Sequence, residues 1–188
     1  MMIFYAFFTG TSAAQSILTE EEQGTLARLF ISPTDLQTIL HGKFVSGFIL
    51  IIVQVVVLLI FSSLVFRIDW GGFLPLTLFT IGLVALANAF GIFAISLVKN
   101  TKQAGIIFGG GITFTGMLGI SSVFTGGTPV EATFKYIPLL VPQGWAMKSL
   151  ESAFNNNLNQ SLLFSGGMLL LAVLFFYIGN VRFKKRFK

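Results

Sequence analysis

Apolar blocks without charge, each about as long as a membrane-spanning helix, alternate with short polar stretches along this chain. The blocks lie at 1–18, 44–66, 73–98, 104–124 and 161–181, and none contains Asp, Glu, Lys or Arg. A helix needs about 20 apolar residues to cross the hydrocarbon core of a bilayer. The short alternating segments typical of membrane β-barrels do not occur. The pattern therefore predicts an all-α integral membrane protein, a polytopic bundle of five transmembrane helices.

Composition and charge support this class and exclude others. Only 10% of the 188 residues are charged and 54% are hydrophobic, whereas soluble domains carry about 25% charged residues. The chain has no cysteine and a single histidine, His41, so thiolate metal sites, paired-histidine zinc sites and catalytic Cys–His pairs are excluded. The net charge of +5 arises largely from the tail 182–188, which predicts contact with membrane lipid rather than with nucleic acid.

The distribution of basic residues predicts the orientation. With the tail 182–188 in the cytoplasm, nine of the twelve Lys and Arg residues lie on that side, as the positive-inside rule requires. We therefore expect a multi-pass protein of the cell (plasma) membrane of a prokaryote, with a cytoplasmic C-terminus. Five crossings then put Met1 outside, although the first block has no basic signal region. Our hypothesis is that a first span precedes Met1 in a longer protein.

The segment 19–43 is the most informative polar stretch. Thr19 is predicted to cap a helix with Glu20, Glu21 and Glu22 in its first turn, because Thr-x-x-Glu fits a capping box and acids complement the helix dipole there. A second amphipathic helix is expected from Ser32 toward the membrane. The segment is interpreted either as an interfacial loop on lipid headgroups or as a docking element for a cytoplasmic partner.

Two parts of the chain carry a family resemblance. The run EEEQGTLARL at 20–29, followed by Ser-Pro at 32–33 and Gly-Lys at 42–43, resembles the signature of ABC-2 type transporter permeases. The run PQGWA at 142–146 is similar to the Pro-x-x-Trp segment ahead of that family's last span. Relatives have six spans per subunit, one of them ahead of the residue that is Met1 here.

The resemblance implies the membrane permease subunit of an ATP-driven exporter that works by alternating access. It also implies pairing with a second permease copy or a paralogue, and two cytoplasmic ATPase subunits that hold the ATP and Mg²⁺, so that this chain needs no cofactor of its own. In the family the acidic segment forms a coupling helix on the ATPase. Carried over, the coupling positions are Glu20, Glu22, Gly24, Thr25, Leu26, Arg28 and Leu29.

The chain itself offers no ATP site and is not expected to be an enzyme. Its Gly42-Lys43 pair is followed by Phe44 and lacks the upstream glycine of a phosphate-binding loop. No acid lies inside the five blocks, whereas ion-coupled carriers usually place one at membrane depth. Two alternatives remain, a secondary transporter or channel and a non-transporting membrane scaffold. The transported substrate is not specified by the sequence.

Polar residues and glycines within the blocks allow two interpretations each. Helix–helix hydrogen bonding or the lining of a substrate pathway is expected of Gln54, Asn88, Thr113 and Thr115. Close helix packing or bending during gating is expected of Gly105, Gly109, Gly110 and Gly111.

The outer segment 125–160 is interrupted by prolines. We expect it to dip back into the membrane edge, with a short interfacial helix from Trp145 to about Phe154. By resemblance, Pro138, Pro142 and Trp145 belong to an outer gate formed by re-entrant helices. A simple interfacial anchor is the alternative.

Overall fold

A computed structural model of the protein describes residues 1–25, 36–121 and 136–186, and within these ranges the chain is helical with no strand. The elements are α1 (Met2–Glu22), α2 (Leu36–Phe66), α3 (Phe73–Ile95), α4 (Thr101–Gly119), a 3-10 helix (Ile137–Leu140), α5 (Pro142–Phe154) and α6 (Leu158–Arg186). The predicted all-α fold class is confirmed.

Three stretches of these helices are long and apolar enough to cross a membrane, namely His41–Phe66 in α2, Phe73–Ile95 in α3 and Leu158–Arg182 in α6. The helices α1 and α4, with 21 and 19 residues, correspond to the first and fourth predicted blocks but are not among these three. At about 1.5 Å per residue they reach roughly 30 Å. That they also cross stays a prediction.

The helix α3 lies at the centre of the bundle. In its most apolar part 67% of the residues are buried, against 11% in α2 and 22% in α6. It packs against α1, α2, α5 and α6. Large apolar side chains such as Val57 of α2 and Leu170 of α6 are exposed on the outside. Apolar surface of this extent is typical of contact with lipid, so the fold is a helical membrane bundle.

A close backbone contact joins α1 to α3 through glycines. A Cβ atom on Gly10 would overlap the carbonyl oxygen of Ala87, and one on Gly91 would overlap the carbonyl oxygen of Gly10. Ala87 and Gly91 are four residues apart and therefore lie on one face of α3. Small residues at this spacing let two helix backbones touch, which seats α1 along the central helix.

Two predicted boundaries around the acidic segment are wrong. Thr19 does not cap a new helix, because α1 continues to Glu22 and the Thr19 hydroxyl donates to the carbonyl of Gln15 within the same helix at 3.3 Å. Gly24, with φ of 70°, lies just beyond the end of α1, where a left-handed glycine commonly stops a helix. The second interfacial helix is not separate either, since residues from Leu36 onward form one helix with the following span.

Candidate functional site

The acidic cluster Glu20–Glu22 lies in the last turn of α1. Negative charge at the C-terminal end of a helix interacts unfavourably with the helix dipole. Such acids need partners from elsewhere in the fold. Glu20 has one in Lys43 of α2, with Oε1 2.5 Å from Nζ. Because both side chains are partly exposed, the pair contributes at most about 1 kcal/mol. Its structural effect is to tie the end of α1 to the beginning of the α2 span.

Glu22 connects the same end of α1 to α4. Its Oε1 accepts a hydrogen bond from the backbone N–H of Thr101 at 2.7 Å, and its Oε2 accepts one from the Thr101 hydroxyl at 2.7 Å. Thr101 is the first residue of α4, and the Asn100 side chain caps that helix by accepting from the amide of Gln103 at 2.8 Å. The carboxylate therefore sits at a helix N-terminus, where the dipole favours negative charge.

These contacts also set the ionisation of Glu22. The hydrogen bond from the Thr101 backbone, then that from its hydroxyl, and to a lesser degree the charge of Lys102 lower the pKa of the Glu22 carboxyl, while burial opposes them. A lowered pKa keeps Glu22 ionised to lower pH than an ordinary glutamate. The link between α1 and α4 is accordingly an ionised one at neutral pH.

Four of the predicted coupling positions are brought together at this end of α1. Gly24 and Thr25 are exposed, and the Thr25 hydroxyl donates to the carbonyl of Glu20 at 3.0 Å. Leu26, Arg28 and Leu29 lie outside the described residues. The two acids contact helices of this chain, so a direct contact of these positions with an ATPase stays a prediction.

Three of the four predicted polar residues join helices, and two of these contacts involve α2. Gln54 of α2 accepts from the Thr9 hydroxyl of α1, with Oε1 2.5 Å from Oγ1. The buried Asn88 of α3 donates from Nδ2 to the carbonyl oxygen of Phe44 of α2 at 2.6 Å. Gly47 leaves room for that amide, since a Cβ there would overlap Asn88 Oδ1. Gln54 and Asn88 therefore make hydrogen bonds between helices, and a pathway-lining role of either residue stays a prediction.

The other two polar residues lie on α4. The Thr113 hydroxyl donates to the carbonyl of Gly109 within α4 at 2.6 Å and is exposed. The Thr115 hydroxyl donates to the carbonyl of Gly111 at 2.7 Å and accepts from Gln143 Nε2 of α5 at 2.9 Å. Thr115 therefore holds α5 to the C-terminal part of α4, and a pathway-lining role of either threonine stays a prediction.

The predicted packing glycines meet no other helix within the described part of the chain. Apart from the adjoining turns of α4 itself, no described atom lies within 4 Å of a Cβ built on any of these α4 glycines: Gly105, Gly109, Gly110 and Gly111. The buried face of α4 instead carries Ala104, Phe108, Ile112, Gly116 and Gly119. The spacing of glycines identifies a small-residue face, but which face meets the bundle depends on neighbours that the sequence does not specify. Within the described residues the four glycines therefore form an open face, and close packing on another helix or bending during gating stays a prediction.

The predicted outer-gate residues lie in one closely packed unit of α5 and the 3-10 helix. Pro142 is the first residue of α5, and Gly144 contacts the 3-10 helix so closely that a Cβ would overlap the carbonyl oxygen of Pro138. The indole Nε1 of Trp145 donates to the carbonyl oxygen of Leu139 at 2.8 Å. The Trp145 ring also covers Gly167 of α6. Whether this unit closes a pathway stays a prediction.

Sequence reasoning missed four buried serines between α5 and α6. The hydroxyls of Ser149 and Ser165 are 2.9 Å apart, and those of Ser152 and Ser161 are 3.0 Å apart. Their spacing of three and four residues, on two helices in sequence, was a usable signal. Sequence reasoning also missed Thr101 as the partner of Glu22, although the Asn-Thr-x-Gln run at 100–103 has the form of a helix start.

Comparison with protein families identifies the class of this bundle. A family model described as ABC-2 family transporter protein matches residues 1–181. Comparisons with curated proteins and with solved structures gave no match. Within the described ranges, no group of three His, Asp or Glu side chains is placed to hold a metal ion. Since the match extends over nearly the whole chain and the fold is a helical membrane bundle, the chain belongs to the ABC-2 transporter family and is a membrane permease of an ABC transporter.

Proposed function

We propose that this permease works as an exporter driven by separate ATPase subunits, and that the acidic end of α1 transmits their movement to the bundle. One observation supports this above the others. The ion pair of Glu20 with Lys43 and the hydrogen bonds of Glu22 to Thr101 tie the beginning of the predicted coupling segment to both α2 and α4.

A push on a segment joined only to α1 would move one helix. Because Glu20 and Glu22 hold α2 and α4 at the same end, a push there displaces three helices together. The Gly10–Gly91 contact then passes the movement of α1 to the central helix without compressible side chains between them. Alternating access between two sides of a membrane needs a concerted displacement of this kind.

A second permease copy or a paralogue is the proposed partner within the membrane. The open glycine face of α4, with exposed Ile106, Phe114 and Met117 beside it, is suited to close helix contact with such a partner. The chain contains no cysteine, so Gly110→Cys introduces a single thiol. We expect Gly110→Cys to form a disulfide-linked pair in membranes, and Leu170→Cys on the lipid-exposed side of α6 to remain unlinked.

The coupling proposal is tested with the tagged full chain purified from its own membranes together with whatever ATPase accompanies it. ATP hydrolysis is then measured in reconstituted vesicles. Glu22→Gln weakens the tie to α4, and Glu20→Gln removes the charge paired with Lys43. We expect both variants to retain the ATPase but to lose most of the coupling, measured as the stimulation of ATP hydrolysis by the permease, because they alter the linkage inside the bundle.

Two controls separate the possible outcomes. Glu151→Gln breaks the exposed pair of Glu151 with Lys148 on α5, at 2.7 Å, and should leave coupling unchanged. Arg28→Glu reverses a charge at a predicted ATPase-contact position and should release the ATPase itself. Absence of any ATPase from the purified chain, or full coupling in both acid variants, would contradict the proposal. The first result would favour the secondary-transporter or scaffold alternatives.

A further inference from the structure

A cavity of about 410 Å³ lies among the N-terminal end of α1, the C-terminal end of α4 and α5. Its size falls in the range of small-molecule sites, about 300–1,000 Å³. Apart from Gln143, its wall is formed by apolar side chains and one glycine, among them Phe4, Trp70, Met117, Met147 and Leu150.

Gln143 is the polar exception in this wall. Only 2% of the residue is exposed, and its Nε2 donates to the Thr115 hydroxyl at 2.9 Å. Its Oε1 has no hydrogen-bond partner in the described part of the chain. A buried amide oxygen without a donor costs about 1–3 kcal/mol. Because Gln143 lines the cavity, a bound molecule with a donor near this amide would satisfy Oε1.

The apolar wall indicates that the main part of the ligand is lipophilic. Four methionines line the cavity, namely Met1, Met2, Met117 and Met147. Methionine side chains adapt to different apolar shapes and contact aromatic rings favourably. The Trp70 ring is held by two contacts. Its Nε1 donates to the Ser62 hydroxyl at 3.1 Å, and the ring stacks on Phe154 with 5.3 Å between the ring centroids. A flat or flexible lipophilic body fits such a wall.

We propose that this cavity binds a lipophilic small molecule carrying a hydrogen-bond donor, with the apolar body against the methionines and rings and the donor on Oε1 of Gln143. Binding of this kind goes beyond the proposed export function and does not require an ATPase. Only the further step, that this molecule represents the transported class, rests on the proposed function.

The binding is tested on the full chain purified in detergent, without nucleotide or ATPase. Energy transfer from tryptophan reports on dansylamide, whose sulfonamide N–H groups donate, and on its N,N-dimethyl derivative, which has no donor. We expect the wild-type chain to bind dansylamide about five- to tenfold more tightly, the factor that one neutral hydrogen bond contributes. Equal affinities of the two probes for the wild-type chain would overturn the proposal without any variant.

Variants locate the site. Gln143→Met keeps the side-chain length and removes Oε1, so dansylamide should weaken to the level of the dimethyl probe, whose own affinity stays unchanged. Leu150→Phe narrows the cavity and should weaken both probes. Gln54→Met, a glutamine outside the cavity, should behave as wild type. Unchanged binding of both probes to Leu150→Phe would show that they occupy the detergent micelle, and would refute the site.

A separate variant tests whether losing the hydrogen bond between Gln143 and Thr115 alters probe binding through the position of α5. Thr115→Val removes that hydrogen bond but leaves Oε1 of Gln143 in place, so the preference for dansylamide should persist. Loss of the preference in Thr115→Val as well would assign it to the packing of α5 rather than to Oε1. Because no ATPase is present, a failed coupling experiment leaves these binding results intact.

Discussion

Replacement of Gly91 by alanine tests whether the backbone contact between α1 and α3 holds the bundle together. A Cβ on Gly91 would lie 2.5 Å from the carbonyl carbon of Gly10 and 3.0 Å from the amide nitrogen of Thr11. Ordinary carbon contacts are about 3.5–4.0 Å, so the helices must separate by about 1 Å. No side chain can yield instead, because the overlapping atoms belong to the backbone.

The loss of stability expected for Gly91→Ala follows from the residues that α1 buries. Besides Gly10, α1 buries seven residues against the bundle: Ile3, Ala6, Phe7, Thr11, Ala14, Ile17 and Leu18. A gap of 0.5–1 Å removes a quarter to a half of each van der Waals contact. Overpacking of this kind costs about 1–3 kcal/mol. For a chain of this size, that corresponds to a melting temperature lower by about 2–12 °C.

The assay is thermal unfolding of the purified chain in detergent, followed by tryptophan fluorescence. Gly105→Ala in α4 is the matched control, because a Cβ there meets no described residue within 4 Å. Alanine is a better helix former than glycine by about 0.5–1 kcal/mol, so the control should melt at the same or a higher temperature. Equal melting temperatures of Gly91→Ala and Gly105→Ala would refute the reasoning.

Three further predictions concern polar contacts. Because the pKa of Glu22 is lowered, its ionised form stabilises the fold above the pKa of the unfolded carboxyl, and this stabilisation is lost as pH falls through the folded pKa. The melting temperature of wild type should therefore exceed that of Glu22→Gln at pH 7 and converge with it in acid. A difference that stays constant with pH would exclude ionisation as the cause. Asn88→Ala should lower stability by about 1 kcal/mol, measured by the same melting assay, and no change would mean that the bond to Phe44 contributes nothing. Ser149→Ala and Ser165→Ala, alone and together, should show a coupling of about 0.6 kcal/mol in a double-mutant cycle, and strictly additive losses would argue against their hydroxyl contact.

The sequence reliably indicated the apolar helices because the length of an uncharged block is a local property set by bilayer thickness. It also carried the family signature at 20–29 and 142–146. Helix ends were less certain. The Thr19-x-x-Glu22 spacing fits a capping box, yet α1 continues through it and ends at Glu22, because a local string cannot tell the start of one helix from the end of another.

Only the tertiary structure decided which partners the acidic residues and the glycines contact. Glu20 meets Lys43 23 positions away, and Glu22 meets Thr101 79 positions away. Glycine spacing indicated that α4 has a face of small residues, but Gly10 and Gly91 are the ones in backbone contact. Helical periodicity determines which residues share a face. The neighbour of that face depends on how all helices pack together, and that arrangement exists only in the folded bundle.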